Sequence, residues 1–179
     1  SFAPRVVTLY FGWNDHWASF GIEDKAVGRF NRNRSASAMA LADLRLVQLF
    51  NFFNIKLYGA GDVQQRPPRV SPGDFAANLS HVVRLARERD IVPVLLTAPS
   101  SHTPGAEPAY LAERWLNDLS QLVPLHRRYA EIVRQVAAEE DVLVVDLLAA
   151  FDRLPPDEVK QSYFHTDGIH LTGDGHKVD

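Results

Sequence analysis

The sequence contains no cysteine, which excludes disulfide bonds and thiolate metal sites. It has 19 lysines and arginines against 22 aspartates and glutamates, and its formal net charge is −3. No run of basic residues forms a stripe, so we expect no binding to nucleic acid. No apolar stretch is long enough to span a bilayer. The lack of cysteine fits bacterial cytoplasm, periplasm or secretion equally, so the compartment stays open.

The composition is that of an ordinary globular protein. The 179 residues are 46% hydrophobic and 23% charged, which suits one domain with a substantial core. We therefore treat residues 1–179 as a single domain. The segment of about 18–70 is long for one crossover between strands, and we expect a lid or cap insertion there.

Three short segments predict buried parallel strands: Arg5–Phe11, Ile91–Thr97 and Val142–Leu147. Each is rich in β-branched residues and apolar on both faces, which is typical of a sheet that helices cover on both sides. Helical patterns separate the three segments. The order predicts an α/β protein with three α/β/α layers around a parallel sheet.

The helical patterns cover Ser35–Phe53, Ser71–Arg89 and about Tyr110–Glu140. The second is the best marked, because Ser71 can cap its start and the following proline suits a first helical position. Pro124 lies inside the third pattern, and proline interrupts a helix interior, so we expect a break there. The sequence ends just as a capped helix begins at Thr172.

Polar side chains follow the first predicted strand in the stretch "YFGWNDHW", residues 10–17. The apolar run stops at Gly12, and a tryptophan, an amide, a carboxylate and an imidazole come next. In open α/β sheets the loops after the carboxyl ends of strands form the active site. This stretch is therefore the first candidate for a functional site.

The second polar cluster is "YFHTDGIHLTGDGH", residues 163–176, with Asp167 three residues before His170. On a turn, this spacing lets a carboxylate reach imidazole Nδ1 and leaves Nε2 as a general base, which a serine nucleophile needs. Two alternatives stay open here. One is a turn-rich loop with incidental histidines. The other is a metal site, whose candidate ligands are His165, Asp167, His170 and His176. Because their spacing is irregular, we predict no metal.

Taken in order, two motifs resemble blocks of the SGNH/GDSL hydrolase family. Gly12-Trp13-Asn14-Asp15 resembles that family's Gly-x-Asn-Asp block, and Asp167-Gly168-Ile169-His170 resembles its Asp-x-x-His block. The continuation "HLTGDGH" and the helix-strand units between the motifs are also similar. The resemblance runs from Arg5 to the end of the sequence and implies a flavodoxin-like parallel sheet and an esterase or acylhydrolase. It implies no cofactor.

The resemblance also implies roles for individual residues. Asn14 would donate its amide to the developing oxyanion, His170 would be the general base, and Asp167 would orient it. Gly12 would allow tight passage of the chain at the strand end.

The rest of the first motif is assigned to the substrate site. Gly12, Trp13, Asp15 and His16 are the substrate-binding candidates, although Trp13 also fits an ordinary core and His16 also fits a surface turn. Asp15 would chiefly hold the loop by bonding backbone N–H groups.

The family's Gly-Asp-Ser block and its second-block glycine are absent from this sequence. Ser100 and Ser101 follow the second predicted strand, but no strained elbow motif surrounds them. Because three strands are few for such a sheet, we expect a fold truncated at both ends, with the nucleophilic serine on a separate N-terminal segment. The expected substrate is an ester of a small molecule, glycan or lipid. The alternatives are a non-catalytic binding module and a metal-dependent hydrolase.

Overall fold

The computed structural model describes residues 3–19, 23–25 and 66–177. The strands are β1 (Val6–Tyr10), β2 (Val92–Leu96) and β3 (Leu143–Val145). The helices are α1 (Pro72–Arg87), α2 (Leu111–Arg114), α3 (Leu122–Glu139), α4 (Leu147–Phe151) and α5 (Pro156–Glu158). Single turns of 3-10 helix cover Leu119–Gln121 and Gly175–Lys177, and a π-helical turn covers Val159–Tyr163.

The strands form one parallel sheet in the order β1-β2-β3, which confirms the predicted α/β class and all three predicted strands. Val6 lies opposite Val92, and Val94 lies opposite Leu143. Since the strands run in the same direction, their carboxyl ends meet at one edge of the sheet. The turn after β1 and the segment after β2 begin at this edge.

Helices α1 and α3 cover one face of the sheet. Leu9 of β1 and Leu95 of β2 point into this layer and are 6% and 0% exposed. Phe75 and Val83 of α1 and Tyr129 of α3 pack against them. Each fully buried large apolar side chain contributes about 1.5–3 kcal/mol, so this layer is the main source of stability in the described residues.

The other face of the sheet is exposed, so the prediction of strands buried on both faces is wrong for the described residues. Val6, Val92 and Leu143 are 54%, 56% and 64% exposed. Successive side chains of a strand point to opposite faces, and the described helices α1 and α3 pack on the face of Leu9 and Leu95. An apolar sheet face of this kind is normally covered by another layer.

Helix α1 begins as the sequence predicts. Ser71 accepts a hydrogen bond from the backbone N–H of Asp74, and Pro72 is the first helical residue. The predicted break at Pro124 is wrong, because this proline is the third residue of α3. The N–H groups of a first helical turn have no partner within the helix, so proline costs little there. The interruption lies earlier, between α2 and the turn Leu119–Gln121.

Some predictions fall outside the described residues. The helix predicted over Ser35–Phe53 and most of the segment 18–70 are among them. No helix in the described part of the chain is both long and apolar enough to cross a membrane.

Candidate active site

The segment from Phe164 to Leu171 folds back on itself as a tight turn. These two residues pair as an isolated antiparallel bridge, and the N–H of His165 donates to the carbonyl of His170 at 2.8 Å. The N–H of Gly168 donates to the carbonyl of His165 at 2.9 Å. Gly168 has φ +70°, a conformation that favours glycine, so the residue at this position helps to close the turn.

Within this turn Asp167 holds His170 in two ways. Asp167 Oδ1 accepts the backbone N–H groups of Ile169 and His170 at 2.9 and 3.0 Å. Asp167 Oδ2 lies 2.6 Å from His170 Nδ1. The imidazole is therefore fixed relative to the carboxylate by both backbone and side-chain contacts, as the spacing of these residues predicted.

The charge of Asp167 selects the tautomer of His170. Burial raises the pKa of Asp167, but the backbone N–H and imidazole of His170 outweigh it and lower that pKa to about 2. The carboxylate is thus ionised at neutral pH and accepts a hydrogen bond from Nδ1–H. In the neutral imidazole, Nε2 then carries the lone pair. The His170 side chain is 76% exposed, so this base faces outward from the turn.

The second candidate segment is the turn that follows β1. Gly12 has φ +130°, and its N–H donates to Asp15 Oδ2 at 3.0 Å. This bond confirms the expectation that Asp15 holds the loop through a backbone N–H. Burial raises the pKa of Asp15, while the Gly12 N–H favours the charged carboxylate. Asn14 lies between these two residues and is exposed at the carboxyl edge of the sheet.

Trp13 and His16 lie in the core beneath this turn, with exposures of 8% and 1%. The interpretation of His16 as part of a surface turn is therefore wrong. The Trp13 ring stacks on His126 of α3 with centroids 3.9 Å apart, and Trp13 Nε1 donates to the carbonyl of Pro99 at 3.3 Å. The turn that carries Asn14 is thus anchored to both α3 and the segment after β2.

His126 and His16 form a buried pair. His126 Nε2 donates to the carbonyl of Ala98 at 2.8 Å, so its Nδ1 is left as an acceptor, 3.4 Å from His16 Nε2. Burial lowers the pKa of His126 to about 4 and that of His16 to about 3. Both rings are therefore neutral at pH 7 and contribute to packing.

The segment 98–102 brings the two candidate motifs together. Pro99 accepts from Trp13 of the first motif, and the N–H of Ser101 donates to the carbonyl of Gly168 in the second at 3.2 Å. Ile169 packs against the apolar cluster that contains Trp13. Asn14 and the Asp167–His170 pair therefore occupy the same edge of the sheet.

Two histidines of this region, His102 and His126, were not identified from the sequence as part of the site. The Nδ1 atom of His102 lies 3.0 Å from Ser100 Oγ. The backbone N–H of His102 donates to the same oxygen at 3.1 Å. His126 could have been found, because it shares the periodic apolar stripe of α3 with Leu122, Tyr129 and Val133. No local signal marked His102.

The histidine-rich end does not assemble a metal site in the described part of the chain. No group of three or more histidine, aspartate or glutamate side chains is placed there to hold an ion. The four residues of the alternative metal site, His165, Asp167, His170 and His176, are thus not gathered around one point.

A model of the GDSL-like lipase/acylhydrolase family matches residues 1–178. Among solved structures, a catalytic mutant of Axe2, an acetylxylan esterase from Geobacillus stearothermophilus, is 18% identical and has a TM-score of 0.50. The match covers 98% of this chain and 55% of that chain. A GDSL-like lipase from Bacteroides thetaiotaomicron is 18% identical over 74% of this chain and 65% of its own, with a TM-score of 0.44.

A lipase/acylhydrolase from Enterococcus faecalis is 16% identical, with a TM-score of 0.43, and the match covers 60% of this chain and 47% of that chain. No curated protein matches the sequence. This chain spans about half the length of the acetylxylan esterase structure.

Proposed function

Because this chain belongs to the GDSL-like lipase/acylhydrolase family, we propose that it supplies the base and one oxyanion donor of a serine esterase. The family and the esterase neighbours support ester hydrolysis in general. The finer assignment concerns three residues. His170 is the general base, Asp167 orients it, and Asn14 binds the oxyanion.

One observation carries this proposal: Asp167 Oδ2 lies 2.6 Å from Nδ1 of an imidazole that is 76% exposed. In the reaction, a serine hydroxyl transfers its proton to His170 Nε2 as its oxygen attacks the ester carbonyl. Asp167 stabilises the resulting imidazolium. The imidazolium then protonates the leaving alkoxide, and the same base activates the water that hydrolyses the acyl-enzyme.

Asn14 suits the oxyanion role because its side chain is exposed, while the N–H of the nearby Gly12 is already bonded within the turn. The N–H of Gly12 is committed to Asp15, and the exposed side-chain amide of Asn14 is a donor that this turn can offer to a substrate. A preorganised donor of this kind stabilises the charge that develops on the carbonyl oxygen. Gly12 and Asp15 shape the turn, and the buried Trp13 and His16 support it from below.

We place the nucleophilic serine on a separate N-terminal segment that pairs with the free edge of β1. In the described sheet β1 pairs with β2 alone, and Tyr10 and Phe11 are 43% and 51% exposed. A parallel strand added at this edge would end beside the Asn14 turn, as the carboxyl ends of neighbouring parallel strands do. The substrate is an acyl or acetyl ester of a small molecule, glycan or lipid.

The test is the turnover of a p-nitrophenyl acyl ester by the complete gene product, with and without His170→Ala. We expect kcat to fall by about three to four orders of magnitude while the circular dichroism spectrum is unchanged. His81→Ala is the matched control, because this exposed histidine lies on α1. Activity of His170→Ala close to that of the unmutated protein would remove His170 from the mechanism.

The second candidate function is a non-catalytic binding module that keeps the hydrolase fold. The observation that favours it is the absence of a Gly-Asp-Ser block from these 179 residues. The genomic sequence upstream of Ser1 separates the two candidates. A Gly-Asp-Ser block there supports the enzyme, and a natural gene without one supports the binding module.

A further inference from the structure

Gly168, in the middle of the Asp167–His170 turn, is packed against the side chain of His102. A Cβ atom added to Gly168 would lie 2.7 Å from His102 Nε2 and 2.9 Å from Ser101 Oγ. The carbonyl of Gly168 also accepts from the N–H of Ser101 at 3.2 Å. The turn therefore rests directly on residues 101 and 102, with no room for a side chain between them.

On the side away from Gly168, His102 is held by Ser100. Ser100 Oγ lies 3.0 Å from its Nδ1 and accepts its backbone N–H at 3.1 Å. Its ring meets Trp13 edge to face, with centroids 5.7 Å apart. Since Trp13 stacks on His126, a continuous row of rings runs from α3 through Trp13 to His102 and ends at Gly168.

We propose that His102 is a positioning residue, which sets the Asp167–His170 turn at the correct distance from the Asn14 turn. Asp167 fixes His170 within its own turn, but the His170 side chain is 76% exposed, so contacts elsewhere must set where that turn lies. Trp13, the neighbour of Asn14, touches the His102 ring, and Gly168, the neighbour of Asp167, rests on it. A change in that ring therefore moves one motif relative to the other. A misplacement of about 1 Å costs about a hundredfold in rate when reacting groups must be aligned.

The catalytic consequence rests on the proposed esterase function, whereas the positional role does not. Three variants distinguish the contact that the His102 ring makes with Ser100 through Nδ1 from the contact that it makes with Gly168 through Nε2. His102→Ala removes both contacts. His102→Asn places a polar atom near the position of Nδ1 and keeps the bond to Ser100, but it leaves the space beside Gly168 empty. His102→Gln places an atom near the position of Nε2 and refills that space.

The first readout is the set of NMR NOEs in this chain between the Ile169 methyl groups and the apolar cluster that contains Trp13, which reports the distance between the two motifs. In His102→Ala and His102→Asn we expect these NOEs to weaken, because the Asp167–His170 turn moves away from the Trp13 cluster. His102→Gln should stay close to the unmutated chain. His81→Ala, an exposed histidine on α1, is the control.

The second readout is kcat of the complete gene product, which should fall about tenfold to a hundredfold in His102→Ala with KM nearly unchanged. Gly168→Ala would press a methyl group against His102 and should also lower kcat, and its φ of +70° adds backbone strain of its own. Combined with His102→Ala, its effect should be less than the sum of the two.

Unchanged NOEs between Ile169 and the Trp13 cluster in a folded His102→Ala would overturn the positioning role. So would full rescue by His102→Asn. An NMR response in a protein without esterase activity would support the positioning role and count against the proposed function.

Discussion

The Trp13 ring lies flat on the His126 ring, with centroids 3.9 Å apart and an angle of 17° between the planes. Trp13 is the neighbour of Asn14, and His126 is a buried residue of α3. This contact ties the proposed oxyanion donor to the core of the protein. The geometry of the site and the stability of the core are therefore linked through one pair of aromatic rings.

A first prediction concerns stability against pH at this pair. Burial lowers the pKa of His126 to about 4 and of His16 to about 3 from 6.5, so the unfolded chain binds protons first as the pH falls. The free energy of unfolding should then be highest above about pH 6.5 and decrease as the pH falls toward 4 and 3. His126→Gln should weaken this decrease, because glutamine stays neutral and can still donate to Ala98.

Urea unfolding at pH 7 and pH 5 measures the effect. His81→Gln, at an exposed position on α1, should leave the pH dependence as it is. If His126→Gln unfolds with the same loss between pH 7 and 5 as the unmutated chain, His126 is not buried in its neutral form.

A second prediction concerns the ion pair of Asp146 and Arg134. Two guanidinium nitrogens of Arg134 donate to Asp146 at 2.8 and 3.1 Å, and the arginine lowers the pKa of Asp146 to about 2 from 3.8. A carboxyl group whose pKa is lower in the folded state stabilises the fold above its unfolded pKa. This contribution should be complete above about pH 5 and be lost as the pH falls toward 2.

Asp146→Asn should therefore lower the unfolding free energy at pH 6 and have a smaller effect at pH 3. Asp157→Asn is the control, since that exposed residue lies in α5. An effect of Asp146→Asn that is equal at both pH values would mean that the charge of Asp146 does not stabilise the fold.

A third prediction concerns Asn14. Asn14→Ala should reduce kcat of the complete gene product on a p-nitrophenyl acyl ester by about 10²–10³-fold, because it removes an oxyanion donor. KM should change little, since the ground-state carbonyl gains less from this donor than the transition state does. Asn78→Ala, an exposed amide on α1, should leave both constants unchanged. A loss confined to KM would assign Asn14 to substrate binding alone.

A fourth prediction compares two glycines that both have open space where a Cβ atom would be. Gly12 has φ +130°, so Gly12→Ala forces a strained backbone and should cost about 1–3 kcal/mol of unfolding free energy. Gly73 lies in the first turn of α1, and Gly73→Ala should stabilise by about 0.4–1 kcal/mol. Chemical denaturation measures the unfolding free energy of both variants. Equal effects of the two changes would refute strain at Gly12.

Local patterns in the sequence predicted much of the sheet and part of the site. The three strands lie within the predicted segments, because short β-branched runs between helical patterns are a strong local signal. The Asp167–His170 pair and the bond from Gly12 to Asp15 were also predictable, since each joins residues three positions apart. Such contacts depend on the chain nearby and little on the rest of the fold.

The remaining contacts join residues that are far apart in sequence, and no local pattern specifies them. Trp13 on His126 and Arg134 on Asp146 arise from how α3 meets the strand ends. His102 against Gly168 arises from how the segment after β2 meets the turn of residues 164–171. The prediction of a break at Pro124 failed because the start of α3 depends on where the preceding turn ends. Apolarity on both faces of a strand does not reveal what covers each face.

The most direct test of the proposed serine esterase is to label the complete gene product with a fluorophosphonate probe and locate the adduct by mass spectrometry. We expect one adduct, on a serine outside the 179 residues of this chain, and its formation should depend on His170. An adduct on a serine within this chain, such as Ser100 or Ser101, would contradict the proposed location of the nucleophile. Failure of any serine to react would contradict the esterase itself.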